Sequence, residues 1–541
     1  MALAGWLAVT SASTVDRSPI VDLGYAAHQA SHNQKAGYYN FSNIQYANAP
    51  RFSAPTPIKS VNRSVNLGQR ASICLAAFPA WYGISSLYQS GQLSLDEVNS
   101  TFAESQSVTP NSGSESIGRY LNAADTTVTE DCLVLDVVVP DRLWGKSRNH
   151  SHSAAPVIVW LHGGSYVLGH KNFAAHPAGL IAKAQEDGSD GVIHVALHYR
   201  LGLFGWMSGP AFIEQGGVAN LGLRDQRLAL EWIWENIHLF SGDPDNVTVL
   251  GEFTGGGSIL HQLTASSSSS GAPFKRAILK SPGFEPMEGP AKQNLQYRRV
   301  LEWASYFSNS TVSSLDDLKQ LPFDVIIAKS YWGAWVPWGP AVDNDFVEDL
   351  PGVLLSNGKF DKSVEIPTSH NSDEGFIFTS PLIKTDHEYV SGFLQNLLPD
   401  ASDDVIDYIK TELYPAVYDG THPWKTPLER TSATIAEAWF ICNNQFLNEA
   451  LGGDAHNYLF DVPPGYHGTD IAHTFFNGEA TTLQAYVTIF AKTGGPNAVN
   501  IPWVPVYGQN ATYVSIYDEL PVSNNDAMDR CSWWQRAVYR S

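Results

Sequence analysis

Short apolar runs, each closed by a turn of small or polar residues, recur along the chain. Val157–Leu161 runs into His162-Gly-Gly-Ser-Tyr166, Val192–Leu197 into His198-Tyr-Arg-Leu-Gly202, and Val247–Leu250 into Gly251-Glu-Phe-Thr-Gly-Gly-Gly257. Runs of this length bounded by turn signals predict buried strands. Leu223–Phe240 instead sets Leu228, Leu230, Trp232, Ile233 and Ile237 at helical spacing, and Ser241–Asn246 predicts a turn behind it. A second helix is predicted over Ser258–Ala265, and further strands at Ala277–Leu279, Val364–Ile366 and Tyr458–Phe460. Strands alternating with helices predict an α/β fold, a mostly parallel sheet with helices on both faces. Ligands of such sheets sit beyond the carboxyl ends of the strands.

The polar stretches Ser105–Ser116, Ser147–Ala155 and Ser266–Ser270 read as surface loops, and no Pro/Gly linker divides the chain. Residues 14–541 therefore read as one domain with long insertions. Residues 1–13, short, apolar and ending in small residues, read as a residual signal segment.

Charged residues are only 16% of the 541, against about 25% in an ordinary globular chain. Aromatic residues are 12%, which excludes a disordered protein. The formal net charge of −21 argues against nucleic acid and anionic membranes as partners. No apolar run of about 18 residues is present to span a bilayer. Seven Asn-X-Ser/Thr sequons, at Asn40, Asn62, Asn99, Asn149, Asn246, Asn309 and Asn510, favour a secretory route. The four cysteines, Cys74, Cys132, Cys442 and Cys531, lack zinc spacing, so neither a metal nor a cofactor is expected. Four cysteines allow three pairings, and spacing does not choose between them.

A set of motifs in a fixed order goes further. Glu130-Asp-Cys-Leu-Val-Leu-Asp136, Trp160-Leu-His-Gly-Gly164, His198-Tyr-Arg-Leu-Gly202, Asn220-Leu-Gly-Leu-Arg-Asp-Gln226, Gly242-Asp-Pro244, Ser372-Asp-Glu-Gly375 and His467-Gly468 follow one another. In that combination the chain resembles the carboxylesterase type B proteins, the cholinesterase-like branch of the α/β-hydrolases, from about Val21 onward. The resemblance is strongest to secreted fungal members, some of which serve secondary metabolism. It implies the α/β-hydrolase fold, with a gorge built by insertions, and a secreted glycoprotein. It also implies the disulfides Cys74–Cys132 and Cys442–Cys531.

The resemblance further implies site residues. Gly164 and Ser165 occupy the positions whose backbone N–H groups form an oxyanion hole, with Thr254 as the third donor. Ser165 stands where the family usually has a third glycine, which is expected to narrow the hole. Glu374 takes the place of the acid and His467 of the base, in the chain order this fold requires. His261, His370 and His473 lie nearby in sequence and read as packing or supporting residues.

The departure is at the nucleophile. The family pattern is Gly-Glu-Ser-Ala-Gly, and this chain reads Gly251-Glu-Phe-Thr-Gly255. Phe253 holds the serine's place and offers no group able to form an acyl-enzyme. The elbow strains its central residue, a cost that a bulky side chain raises. Losing the serine of a triad costs about a million-fold in turnover, so ordinary esterase activity is expected to be absent. Thr254 lies one residue late and should point away, Ser258 is a turn into the helix, and Glu252 reads as buried support of the elbow.

What remains is a base, its orienting acid and oxyanion donors. That set suits proton abstraction beside a carbonyl, and so isomerisation, elimination or cyclisation of a small apolar carbonyl or lactone substrate. Hydrolysis by an unconventional nucleophile, or by water activated at His467, is one alternative. A non-catalytic binding protein is the other, since the family includes the neuroligins, adhesion proteins that keep the fold without catalysis. The aromatic stretches Phe78–Tyr82 and Tyr331–Trp338 could line the gorge, although most tryptophans of a chain this size belong to its core.

Overall fold

The computed structural model describes residues 18–70, 72–76, 88, 92–94, 96–98, 100, 127–147, 154–173, 176–265, 271–285, 289–323, 338–478, 480–523 and 527–540. Residues 1–13, Asn99, Asn149, Phe78–Tyr82 and 331–337 of the aromatic stretch lie outside them.

The apolar runs form the centre of an eleven-stranded sheet. In chain order its strands are β1 (Ser31–Asn33), β2 (Tyr38–Gln45), β3 (Val134–Pro140), β4 (Ala155–Leu161), β5 (Ile193–Leu197), β6 (Gly242–Glu252), β7 (Arg276–Lys280), β8 (Thr368–Asn371), β9 (Asn457–Phe460), β10 (Thr512–Ser515) and β11 (Pro521–Ser523). Their spatial order is β11-β10-β9-β8-β7-β6-β4-β5-β3-β2-β1. The seven strands from β5 to β10 run parallel, and both edges are antiparallel. This is the mostly parallel sheet that the sequence predicts.

Strand periodicity decides which helix covers which face. Val157 and Val159 of β4 and Val249 of β6 point into one core with Leu230 and Ile233 of α1 (Leu221–Asn236) and Ile259 and Leu260 of α2 (Thr254–Thr264). Ile158, Trp160, Leu250 and Ile278, one position out of phase, meet Val487 and Phe490 on the other face. These two belong to α4 (Thr482–Thr493), which follows the short α3 (Thr469–Thr474). Side chains that alternate faces along each strand thus build two cores from one sheet.

Three elements differ from expectation. The helix after the elbow starts at Thr254, not Ser258. Gly255 and Gly257, which read as a turn, are helical because the packing needs them bare. A Cβ on Gly255 would lie 2.1 Å from the Leu161 carbonyl oxygen, and one on Gly257 2.5 Å from that of Gly283. The turn Ser241–Asn246 is drawn into β6, whose register against β4 shifts between Gly242 and Val247. Val364–Ile366 makes a single bridge, Glu365 to Arg276, and the strand forms at Thr368–Asn371. The apolar pair Val364/Ile366 packs into the core without pairing as a strand.

Two of the family-like motifs meet as one buried ion pair. Arg200 donates through Nε and Nη2 to the Asp225 carboxylate at 2.8 and 2.6 Å, and through Nη1 to the carbonyls of Pro50 and Ser53 at 3.0 and 2.9 Å. The side chains are 5% and 0% exposed. Gln226 then donates to Ser258 Oγ at 3.1 Å, tying α1 to the elbow helix.

Cys74 is bonded to Cys132 and Cys442 to Cys531. Of the five sequons within the described residues, Asn62, Asn309 and Asn510 are exposed. Asn40 and Asn246 are half-buried, the Asn246 side chain accepts a bond from Arg276, and its sequon threonine, Thr248, is fully buried. Glycans on protein made in a eukaryotic secretory host should map to Asn62, Asn309 and Asn510. Occupancy at Asn246 would contradict that assignment.

Candidate active site

β6 delivers the elbow. Glu252 ends the strand, Phe253 takes φ 53°, ψ −118°, and α2 starts at the next residue. This backbone region is sparsely populated and costs on the order of 1–3 kcal/mol for a residue with a Cβ. The chain is pinned there by three bonds. The Phe253 N–H donates to the Lys280 carbonyl at 3.1 Å, and its own carbonyl accepts from the Gly257 and Gly283 N–H groups at 2.8 and 2.9 Å. The turn also needs bare neighbours: a Cβ on Gly251 would lie 2.5 Å from the Gly255 carbonyl carbon.

Glu374 and His467 come from the loops behind β8 and β9 and meet at this elbow. Nδ1 of His467 lies 2.5 Å from Oε2 of Glu374, with the side chains 5% and 0% exposed. The other Glu374 oxygen accepts from Ser281 Oγ and the Asn371 N–H, each at 2.6 Å. The carboxylate is therefore fixed from three directions. This sets the Nδ1–H tautomer and leaves Nε2 as the nitrogen able to take a proton.

Three phenylalanines enclose the imidazole. The Phe253 ring meets it edge to face at a centroid distance of 4.6 Å, Phe440 lies at 4.5 Å and Phe378 at 5.1 Å. Phe253 also contacts Phe378 and Phe440 at 5.4 and 5.3 Å. Gly283 makes room for this packing, since a Cβ there would lie 2.6 Å from the Phe253 ring. Phe440 and Trp439 sit in a π-helical turn, Glu437–Ile441, a local irregularity often found at functional sites.

Phe253 also lines a cleft of about 50 Å³. Its lining includes Ser165, Phe253, Thr254, Phe284, Gln296 and Trp338, and His467 is not among the described residues that line it. The structure thus brings Ser165, Thr254 and Phe253 to one cavity, and His467 contacts the Phe253 ring without lining that cavity. Gly164 and Ser165 both have positive φ, 120° and 54°. A Cβ at Gly164 would lie 2.2 Å from the Leu168 carbonyl oxygen, so that position requires glycine. At Ser165 the left-handed backbone costs about 1–2 kcal/mol.

The candidate replacement nucleophiles are turned elsewhere. The Thr254 side chain is buried against the Tyr199 phenol, which itself donates to the His162 carbonyl at 2.6 Å. Ser258 is fully buried and bonded to Gln226. Glu252 is buried behind the strand, 3.9 Å from Lys280 Nζ. Burial and the neighbouring Asp470 push its carboxyl well above the usual range. Of the nearby histidines, His261 packs on Phe284, His370 on Tyr513 and His473 on Phe460, all at about 5 Å.

Lys280 and Asp470 belong to no motif in the sequence, yet they meet beneath the elbow strand. Lys280 is fully buried, and its Nζ bonds Asp470 at 2.8 Å and Thr474 Oγ1 at 2.7 Å. Its signal was a charge closing the apolar run Ala277–Leu279, at the carboxyl edge of the sheet. Lys280 supplies a cation to two buried acids, Asp470 at 2.8 Å and Glu252 at 3.9 Å.

With this geometry in view, the sequence profile of the carboxylesterase family matches residues 27–534. Carboxylesterase patB of Aspergillus clavatus is 36% identical over 552 residues, covering 96% of each chain. The inactive carboxylesterase-like protein VdtD of Byssochlamys spectabilis is 32% identical over 326 residues, covering 57% of this chain and 54% of VdtD. Among solved structures, Aspergillus niger EstA superposes with a TM-score of 0.75 at 19% identity, covering 97% of this chain and 99% of EstA. That likeness shows the α/β-hydrolase fold.

Proposed function

This chain belongs to the carboxylesterase family, and from that premise we propose that it has left serine-ester hydrolysis for non-hydrolytic acid–base chemistry on a small apolar carbonyl or lactone compound. The observation that carries the reading is the Glu374–His467 pair, held at 2.5 Å beside a residue that cannot be acylated. Keeping a carboxylate and an imidazole buried in one orientation is costly unless both are fully bonded, and a pure binding protein has no use for it. The relative named an inactive carboxylesterase-like protein supports the loss of ordinary ester hydrolysis.

The step is a proton transfer. Nε2 of His467 takes a proton from the carbon beside the substrate carbonyl, and the C–H electron pair moves into the enolate. Backbone N–H groups of Gly164, Ser165 and Thr254 stabilise the enolate oxygen. Return of the proton at another carbon gives an isomer, and loss of a β-substituent gives elimination. Glu374 holds the imidazolium that forms. The Phe253 ring is an apolar wall beside the imidazole that keeps water from the base.

The test needs the native substrate, found by comparing metabolites made with and without the protein. His467→Ala should then lose about 10²–10⁴ in turnover with little change in affinity, and Glu374→Gln somewhat less. Normal turnover by His467→Ala would reject acid–base catalysis here.

One observation favours a second reading, a non-catalytic binding protein: the described lining of the cleft includes the Phe253 ring and not the imidazole it contacts. Under that reading His467→Ala would leave the protein's biological effect intact, while filling the cleft would abolish it. Under either reading, residues 14–541 act as one domain on the secretory route, consistent with two disulfides and three exposed sequons.

A further inference from the structure

We propose that Asn443 is a positioning residue of the His467 site: its side-chain amide clamps the π-helical turn to the loop that holds Phe253 and Glu374. The inference rests on the reading of Glu374 and His467 as a working pair, and extends it to a residue on the helix that follows the turn.

Pro427–Ala436 and Cys442–Ala450 are α-helical, and between them the Cys442 N–H reaches back to the Glu437 carbonyl, the longer π-type bond. Such a turn loosens the regular ladder, and a side chain can enter it. Here that side chain is Asn443, which is 4% exposed. Its Nδ2 donates to the Trp439 carbonyl at 2.8 Å and to the Pro282 carbonyl at 3.2 Å. Both amide hydrogens are thus used, one on the turn and one on the loop behind β7.

That loop is where the site is held. Ser281 Oγ donates to Glu374, the Gly283 N–H donates to the Phe253 carbonyl, and the Phe284 N–H donates to the Trp439 carbonyl at 3.3 Å. The turn itself presents Phe440 to the imidazole at 4.5 Å. The ends of the turn are fixed separately. Glu437 accepts from Arg530 Nε and Nη2, each at 2.7 Å, and from the Tyr414 hydroxyl at 2.8 Å, while Cys442 is bonded to Cys531. With its ends fixed, the amide of Asn443 sets the spacing between the aromatic wall of His467 and the loop that orients its carboxylate. Without the amide, two buried carbonyls lose a donor and carry the cost of desolvation.

The test reads the Glu374–His467 bond directly, by proton NMR of the natural full-length protein. The Nδ1 proton of His467, held against a buried carboxylate, should give a far-downfield resonance in slow exchange with water. Asn443→Leu keeps the volume and removes both donors. It should quicken exchange of that proton about tenfold, the usual effect of an orphaned buried carbonyl on local opening. Asn443→Ser can still bond the carbonyl one turn back, so it should quicken exchange less. The control is Asn448→Leu. Asn448 is fully buried on the same helix and bonds Asn444 and Asn457. Its loss should lower the denaturant midpoint comparably and leave the resonance unchanged. Equal exchange in the natural and Asn443→Leu proteins, equal quickening by Asn448→Leu, or no such resonance in the natural protein would overturn the proposal. If Asn443→Leu does not fold, Asn443→Ser compared with the natural protein decides in the same way. The expected pattern in a protein that turns over no carbonyl compound would uphold the clamp and reject His467 as a base.

Discussion

Phe253→Ser is expected to hydrolyse short p-nitrophenyl esters that the natural chain leaves untouched. The imidazole already lies against the Phe253 side chain, at 4.6 Å between ring centroids, and its other nitrogen is already held by Glu374. A serine hydroxyl on the same elbow would reach a base that is oriented before it arrives. Removing a triad serine costs about 10⁶ in turnover, so recovering even part of the triad should raise the rate at least ~10²-fold over the natural chain. The lost ring leaves a cavity among Phe378, Phe440 and Trp439, with a stability cost of about 3–5 kcal/mol by analogy with Phe→Ala. A variant that melts cooperatively but shows no esterase activity would mean that the pair is not set for triad chemistry.

The second large effect is on folding. Asp225→Asn should destabilise the protein by about 3–5 kcal/mol, because it leaves the Arg200 guanidinium buried without its counter-charge. The double variant Arg200→Met/Asp225→Leu removes both charges and should be more stable than the single variant. Denaturant midpoints of the three proteins decide this. If the single variant matches the natural chain, the ion pair does not hold α1 to the β5 loop. If the double variant is no better than the single, losing Arg200's bonds to Pro50 and Ser53, which only the double variant does, costs as much as leaving its charge unpaired.

Much of the site was legible because the residues that build it are close in sequence to turn signals. The elbow is written in Gly251, Phe253 and Gly255, and Glu374 and His467 each stand in a short motif behind a strand. The α/β alternation was legible in the same way, from largely apolar runs of three to six residues. Other features were hidden because they arise from contacts distant in sequence. Phe378 and Phe440 join Phe253 around the imidazole from separate loops and helices, and no local pattern marks them. The true start of α2 was hidden too, because its glycines are there for the strands packed against them. Val364–Ile366 misled because it pairs at a single bridge, Glu365 to Arg276, and the strand proper forms only at Thr368–Asn371. Lys280 was visible as a charge, but its buried partner Asp470 lies 190 residues further on, and only the fold unites them.

The most direct measurement of whether serine chemistry is absent is intact-protein mass spectrometry after exposure to a fluorophosphonate, with Phe253→Ser as the positive arm. The natural chain should keep its mass unchanged, and Phe253→Ser should gain one adduct that maps to residue 253. Stoichiometric labelling of the natural chain at Thr254 or Ser258 would contradict this and show that a neighbouring hydroxyl has taken over the nucleophile's role.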